Sequence, residues 1–114
     1  MREGVFIFIN KTKTYEWDLK RKIISKHKVD ELERIMHIES LIKSSSNMQK
    51  LINSSLSKIY GIEKKKGDLK EIYTAKVNNK IRLYLKPEGK YPYDLVSIES
   101  IEFVKIDDKH YGEG

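Results

Sequence analysis

The stretch EKKKGDLKEIYTAKVNNKIRLYLK, residues 63–86, decides the fold. It begins with a lysine cluster and a glycine, and two strand-like segments then meet at Asn78-Asn79. Asparagine is one of the few residues besides glycine that tolerate positive φ, which a two-residue type I′ turn requires at both central positions. The stretch therefore predicts a basic loop that leads into a β-hairpin.

A two-residue turn at Asn78-Asn79 also fixes the pairing of the two strands. One face of the hairpin would be polar, aromatic and basic, with the pairs Val77–Lys80, Ala75–Arg82, Tyr73–Tyr84 and Glu71–Lys86. The other face would pack on the core through Ile72, Thr74, Ile81, Leu83 and Leu85. A longer loop would shift the pairing by one residue and exchange the faces, and the alternation of the last three apolar residues favours the two-residue turn.

The composition predicts one domain with a basic surface. The chain has 114 residues, with 23 Lys and Arg against 17 Asp and Glu and a net charge of +6. This charge favours nucleic acid or another polyanion as the partner, although an ordinary lysine-rich surface explains it equally well. Because the chain has no cysteine and its three histidines show no metal-ligand spacing, we expect neither a metal nor another cofactor.

Residues 5–9, VFIFI, are β-branched and aromatic, which is typical of a central strand covered on both faces. The run is too short to span a membrane, so we expect a cytoplasmic protein with no membrane partner. Residues 10–28 fit neither the helical nor the strand period, and they could continue a hairpin or begin a helix.

Two amphipathic helices follow. An apolar stripe at helical spacing predicts a helix of about four turns from Val29 to Lys43. Its members are Val29, Leu32, Ile35, Met36 and Ile42. Ser46 and Gln49 have the form of a capping box, which predicts a second helix that ends at a left-handed Gly61.

The last strand is predicted at residues 96–106, after a loop that contains both prolines. Its apolar positions change phase between Phe103 and Val104, which indicates a β-bulge or a strand buried on both sides. The order of elements predicts an α+β fold with two N-terminal helices packed on a small, antiparallel-rich sheet. We expect residues 1–114 to form a single domain.

The second half of the chain carries several short elements in a characteristic order. They are Lys66-Gly67-Asp68-Leu69, Tyr73, Lys76-Val77-Asn78-Asn79, Ile81-Arg82-Leu83 and His110-Tyr111. Their order and spacing resemble the RelE/YoeB/HigB superfamily, the toxins of bacterial type II toxin–antitoxin systems, and the YoeB branch in particular. The resemblance implies a RelE-like fold and a ribosome-dependent endoribonuclease that cuts messenger RNA. It also implies a cognate antitoxin, the ribosome and messenger RNA as partners.

The resemblance further implies roles for individual residues. Arg82 would contact the scissile phosphate, and His110 and Tyr111 would form a terminal catalytic pair. Glu63 falls where YoeB-like members place a carboxylate proposed as general base. The RNA-binding residues would be Lys64, Lys65, Lys66, Lys76, Tyr73 and Tyr84.

Metal-independent RNA cleavage needs a base for the 2′-hydroxyl, a proton donor for the 5′-oxygen and cations around the phosphate. Glu63, His110 and Arg82 are the right residue types for these tasks. Arg82 also has a structural alternative, since it could pair with Glu71 or Glu102 across the sheet. Tyrosines could stack on unpaired bases or pack against each other.

Two other functions stay open. A ParE-like toxin has the same fold but binds DNA gyrase without cutting RNA, and that branch generally lacks the terminal histidine-tyrosine pair. A small basic nucleic-acid-binding module without toxicity is the third possibility.

Overall fold

A five-stranded sheet carries helices against one face in the computed structural model, which describes residues 6–108. The strands are β1 Phe8–Lys11, β2 Glu63–Lys64, β3 Tyr73–Lys76, β4 Arg82–Pro87 and β5 Ser100–Asp107. The helices are α1 Lys13–Asp18, which continues as a π-helix over Leu19–Ile24, then α2 Val29–Lys43, α3 Met48–Asn53, α4 Ser55–Ile59 and a 3-10 turn at Gly67–Leu69. The strand order is β1-β5-β4-β3-β2, in which β1 is parallel to β5 and the other pairs are antiparallel. The predicted α+β class is confirmed.

The N-terminal strand forms at the edge of the sheet, so the prediction of a central strand was wrong. It spans Phe8–Lys11 and pairs with β5. Ile7 is buried, whereas Phe6 and Phe8 are 52% and 64% exposed. The apolar run is therefore covered on one face rather than on both.

Residues 10–28, which the sequence left open between hairpin and helix, are mainly helical. Thr12 connects β1 to α1 through two hydrogen bonds of its hydroxyl group. Thr12 Oγ1 accepts from the amide of Tyr15 at 2.9 Å and donates to the carbonyl of Val104 at 2.7 Å. The cap therefore starts the helix and ties it to β5.

Within residues 6–108, no helix has the length and apolar composition that crossing a membrane would need.

The bounds predicted for α2 are confirmed. The predicted apolar stripe is confirmed for Leu32, Ile35 and Ile42, which pack in or against the core, but it was wrong for Val29 and Met36. Ile38 and Ile42 are fully buried, whereas Val29 and Met36 are 69% and 58% exposed. Positions 29 and 36 lie on the side of the helix opposite position 38. The helix thus has two apolar faces, and only one of them contacts the core.

The second predicted helix is divided at Ser54 into α3 and α4. Asn47, rather than Ser46, caps α3, because Asn47 Oδ1 accepts from the amide of Lys50 at 2.9 Å. Gly61 has φ +60 and ends α4, as predicted.

Gly61 leads to a stability prediction, because a Cβ added there would lie 3.0 Å from the Cβ of Lys76. We expect Gly61→Ala to lower the free energy of unfolding by about 1–2 kcal/mol or more, since crowding adds to the cost of a left-handed backbone. Gly67→Ala is the matched control, because Gly67 has φ +69 but no atom within 4 Å of an added Cβ. If urea unfolding shows equal losses of stability for Gly61→Ala and Gly67→Ala, crowding against Lys76 does not contribute.

The hairpin between β3 and β4 has a three-residue loop, so the predicted register was wrong by one residue. The observed pairs are Tyr73–Leu85, Thr74–Tyr84, Ala75–Leu83 and Lys76–Arg82. The side chain of Asn78 forms the loop, because its Oδ1 accepts from the amides of Lys80 and Ile81, both at 2.7 Å. Neither Asn78 nor Asn79 has the positive φ of a type I′ turn.

The register shift exchanges the faces of β3. Tyr73, Ala75 and Val77 are buried in the core together with Ile81, Leu83 and Leu85, whereas Thr74 shares the opposite face with Arg82 and Tyr84. The apolar face predicted for β4 is thus confirmed, and the one predicted for β3 was wrong. We call the surface opposite the core the outer face, and it consists of Glu63, Thr74, Lys76, Arg82, Tyr84, Lys86, Glu102, Lys105 and Asp107.

The bulge predicted in the last strand is confirmed. Tyr84 pairs with Lys105 and Leu85 pairs with Phe103, which leaves Val104 as the extra residue. The bulge lets Phe103 and Ile106 both point into the core although they are three residues apart. Lys105 is consequently directed to the outer face.

Tyr15 makes the stability of the fold depend on pH in the alkaline range. Burial raises its pKa above the ordinary value of 10.0, and the charges of Glu39 and Glu16 raise the pKa further. The folded state therefore retains a proton that the unfolded state loses, so stability present below about pH 10 falls as the pH rises above that value. We expect Tyr15→Phe to lose less stability than the parent between about pH 9 and about pH 11 in urea titrations. Identical losses of stability in Tyr15→Phe and the parent would contradict the view that ionisation of Tyr15 causes the loss.

Candidate nucleic-acid interface on the outer face

Strand pairing places predicted site residues in two neighbouring rows on the outer face. The first row crosses four strands through Glu63, Thr74, Tyr84 and Lys105. The second row consists of Lys76, Arg82 and Asp107. Since neighbouring strands lie about 4.8 Å apart and alternate residues of a strand about 7 Å apart, the Cα atoms of Glu63 and Arg82 are on the order of 12 Å apart.

Arg82 is half-buried at the hairpin end of the outer face. One guanidinium nitrogen, Nη1, donates to the carbonyl of Asn78 at 2.5 Å and to that of Ile81 at 3.3 Å. These bonds hold the guanidinium against the loop and use one of its three nitrogens. Its partner on β5 is Asp107, whereas Glu71 and Glu102, the partners considered from sequence, lie near Lys86.

Tyr84 is the centre of a cluster of cations. Lys105 Nζ lies 4.7 Å and Lys65 Nζ 6.0 Å from its ring centroid. Its hydroxyl donates to Asp107 Oδ2 at 3.3 Å. Burial raises the pKa of Tyr84 and Asp107 raises this pKa further, against a lowering by Arg82, so the hydroxyl stays a neutral donor. The cluster thus offers a ring, two ammonium groups and a hydroxyl.

The three lysines of the basic loop have different surroundings. Lys65 belongs to the cluster around Tyr84. Lys64 Nζ lies 5.5 Å from the ring centroid of Tyr91, and Lys70 Nζ lies at the same distance from that ring. Lys66 is exposed directly before the 3-10 turn.

Tyr73 does not share this surface. It is 6% exposed and belongs to the core, so its predicted position beside Tyr84 on the polar face was wrong. Burial raises its pKa, against a lowering by the charge of Lys64. The cause is the one-residue register shift, and it leaves the ring of Tyr73 unable to stack on a nucleobase.

His110 and Tyr111, the predicted terminal catalytic pair, lie outside the described residues. Within the described residues, no group of three or more His, Asp or Glu side chains is arranged to hold a metal ion.

Sequence reasoning missed Lys105, Asp107 and Tyr91. Lys105 and Asp107 alternate with the buried Ile106, and this alternation after the bulge was the available signal. Tyr91 gave no periodic signal because it lies in an irregular loop.

Comparison with known proteins agrees with this fold. A scan against protein-family models and a search among curated proteins both find no match. Among solved structures, the crystal structure of YafQ from E. coli strain BL21(DE3) superposes with a TM-score of 0.62 at 16% identity, over 95% of this chain and 99% of that one. The crystal structure of the E. coli DinJ-YafQ toxin-antitoxin complex gives a TM-score of 0.63 at 16% identity, over 95% and 98% of the two chains. The chain therefore has the RelE-like α+β fold of YafQ.

Proposed function

We propose that this chain is the toxin of a toxin–antitoxin pair and that it cuts messenger RNA on the ribosome without a metal ion. Two findings support the proposal: the fold is that of YafQ, and YafQ is found in a toxin-antitoxin complex with DinJ. The single observation that carries the RNA-cleaving activity is the placement of Arg82 on the outer face, two residues from Tyr84, whose ring lies beside Lys65 and Lys105.

Arg82 is the proposed ligand of the scissile phosphate. Its contacts with the carbonyls of Asn78 and Ile81 hold the guanidinium in place before RNA arrives. The planar guanidinium can hold two phosphate oxygens at once. Such pre-placed donors stabilise the negative charge that develops on the phosphate during attack, which is usually the largest catalytic contribution.

Cleavage would proceed by attack of the 2′-oxygen on phosphorus. A base takes the proton of the 2′-hydroxyl, the bond from phosphorus to the 5′-oxygen breaks, and the 5′-oxygen takes a proton. The products are a 2′,3′-cyclic phosphate and a 5′-hydroxyl. Glu63 is the proposed base, and the estimated separation of Glu63 and Arg82 leaves room for one nucleotide between their side chains.

His110 is the proposed proton donor, and Tyr111 is its proposed catalytic neighbour. Histidine titrates near neutral pH, and such acid help is typically worth about 100- to 10,000-fold. His110 follows Asp107 by three residues, which can span at most about 10 Å. Because Asp107 lies opposite Arg82, this length of chain supports a shared site.

Residues of the outer face and of the neighbouring basic loop would hold the RNA strand. Tyr84 can stack on a base, and Lys65 and Lys105 beside its ring can bind the adjoining phosphates. The exposed residues Lys64, Lys66 and Lys76 would add attraction that does not depend on RNA sequence.

An antitoxin is the proposed protein partner. The support is the DinJ-YafQ complex and the net charge of +6, which suits an acidic partner. We expect the product of an adjacent reading frame, if short and acidic, to restore growth when it is co-expressed. Continued arrest despite a stable complex would contradict this role.

Inducible expression in bacteria tests the function. The proposal expects growth arrest together with new 5′ ends within cellular messages, mapped by primer extension. Arrest with intact messages and altered plasmid supercoiling would instead indicate a gyrase poison. Absence of both arrest and cleavage would overturn the toxin assignment and leave a simple nucleic-acid binder.

A further inference from the structure

A second basic and aromatic surface lies on the helical side of the sheet, at the end of β5. An open cavity of about 290 Å³ is formed between α1, the π-helix that follows it and the end of β5. We call it the Trp17 cavity, and it is lined by Trp17, Asp18, Arg21, Lys22, Lys26 and Asp108. The roles proposed above for Arg82 and Tyr84 use none of these side chains.

The two carboxylates of the cavity are already engaged by Lys22. Lys22 Nζ lies 3.5 Å from Asp18 Oδ1 and 3.6 Å from Asp108 Oδ1. Lys22 Nζ also donates to the carbonyl of Ile106 at 2.9 Å, and Asp18 Oδ2 accepts from the amide of Ile106 at 3.0 Å. This group therefore anchors the end of β5.

The two other cations of the cavity, Arg21 and Lys26, are available to bind an anion. Within residues 6–108, no carboxylate lies within ion-pair distance of Arg21 or Lys26. The surroundings are also positive, because residues 13–28 contain six Lys and Arg against two acids, a net charge of +4. A second cavity on Trp17, of about 250 Å³, is lined by Lys13, Glu16 and Lys20.

Trp17 presents an aromatic surface beside these charges. Its side chain is 58% exposed, although it is the largest apolar side chain of α1. Arg21 Cζ lies 4.4 Å from the centroid of the indole ring. Aromatic rings flanked by arginine and lysine are the usual means by which proteins bind unpaired nucleotides, since bases stack on the ring and phosphates meet the cations.

We propose that the Trp17 cavity is a nucleotide subsite for single-stranded RNA, in which one base stacks on Trp17 and its phosphate contacts Arg21 and Lys26. This inference rests on the proposed function, because the RNA would be the strand held at Arg82. Asp108 lines the cavity and follows Asp107, the partner of Arg82 on β5. One strand can therefore pass around the end of β5 from Arg82 to Trp17.

Trp17 provides its own probe, because it is the only tryptophan of the chain. Titration of the full chain with an unlabelled uridine hexanucleotide should quench the fluorescence of Trp17, since a stacked base quenches indole fluorescence. In anisotropy measurements with the fluorescein-labelled hexanucleotide, Trp17→Ala should weaken binding by about 5- to 150-fold and Trp17→Phe by much less. Lys26→Ala should reduce the slope of log affinity against log salt by about 0.7.

Lys58→Ala is the matched control, since it removes one exposed cation from α4 without touching the cavity. The proposal is overturned if RNA does not quench Trp17, or if Trp17→Ala and Arg21→Ala bind RNA as Lys58→Ala does. It is also overturned if polyglutamate quenches Trp17 as strongly as RNA at equal charge, which would indicate a site for acidic peptide.

Failure of the subsite and failure of the proposed function give different results. If the subsite fails, Arg82→Ala still abolishes growth arrest while Trp17→Ala leaves RNA affinity unchanged. If the proposed function fails, induced cells grow and keep their messages intact, whatever the purified chain binds.

Discussion

Replacement of Arg82 by alanine is expected to lower the rate of message cleavage by about 100- to 1,000-fold and to relieve growth arrest. The reason is that Arg82 is the proposed donor to the phosphate on which negative charge develops. Removing one pre-placed donor of this kind from an active site typically has an effect of this size. The measurement is the initial rate at which a defined message is lost in a translation extract.

Lys80→Ala is the control, because Lys80 lies in the same hairpin loop and its side chain is exposed. It should cleave at nearly the parental rate. Arg82→Lys should fall between the two, since lysine keeps the charge but not the planar pair of donors. Arg82 also bonds to two loop carbonyls, so urea unfolding must show that Arg82→Ala is folded. Equal rates for a folded Arg82→Ala and for Lys80→Ala would contradict the role of Arg82.

Replacement of Phe103 by alanine is expected to lower the free energy of unfolding by about 3–5 kcal/mol. Phe103 is fully buried beside the bulge of β5, and its ring packs edge-on against Tyr15 with the centroids 5.3 Å apart. The substitution leaves a cavity where β5 meets α1 and also removes this aromatic contact. A domain of this size has an unfolding free energy of about 5–15 kcal/mol, so the loss is a large share of the total.

Phe8→Ala tests the same chemical change where burial is small. Phe8 lies on β1, which also pairs with β5, but its side chain is 64% exposed. We expect Phe8→Ala to lower the free energy of unfolding by only about 0.5 kcal/mol in the same urea titration. Comparable losses for Phe8→Ala and Phe103→Ala would mean that the core is not where the structure places it.

The sequence predicted those features that depend on neighbouring residues of one segment. The bounds of α2, the left-handed Gly61 and the bulge at Val104 follow from local periodicity and backbone preference. The register of the hairpin did not follow, because asparagine can make a turn in two ways. Asn78 uses its side chain as an acceptor rather than its tolerance of positive φ, and these alternatives differ by one residue in loop length.

The same distinction explains which site residues came together. Arg82 and Tyr84 lie two positions apart on one strand, so they share a face in either register. Tyr73 lies on the partner strand, and a shift of one residue was enough to bury it. The two apolar faces of α2 pose a similar problem, since periodicity finds both faces but does not tell which one meets the sheet.

The most direct test of the proposed activity uses purified ribosomes that are translating a defined message, with the 5′ ends mapped after addition of the purified chain. The account predicts new 5′ ends within the coding region with the parent and with Lys80→Ala, and at least about 100-fold fewer with Arg82→Ala. A message that stays intact with the parent, or is cut equally by Arg82→Ala, would contradict the proposal that the outer face cleaves messenger RNA.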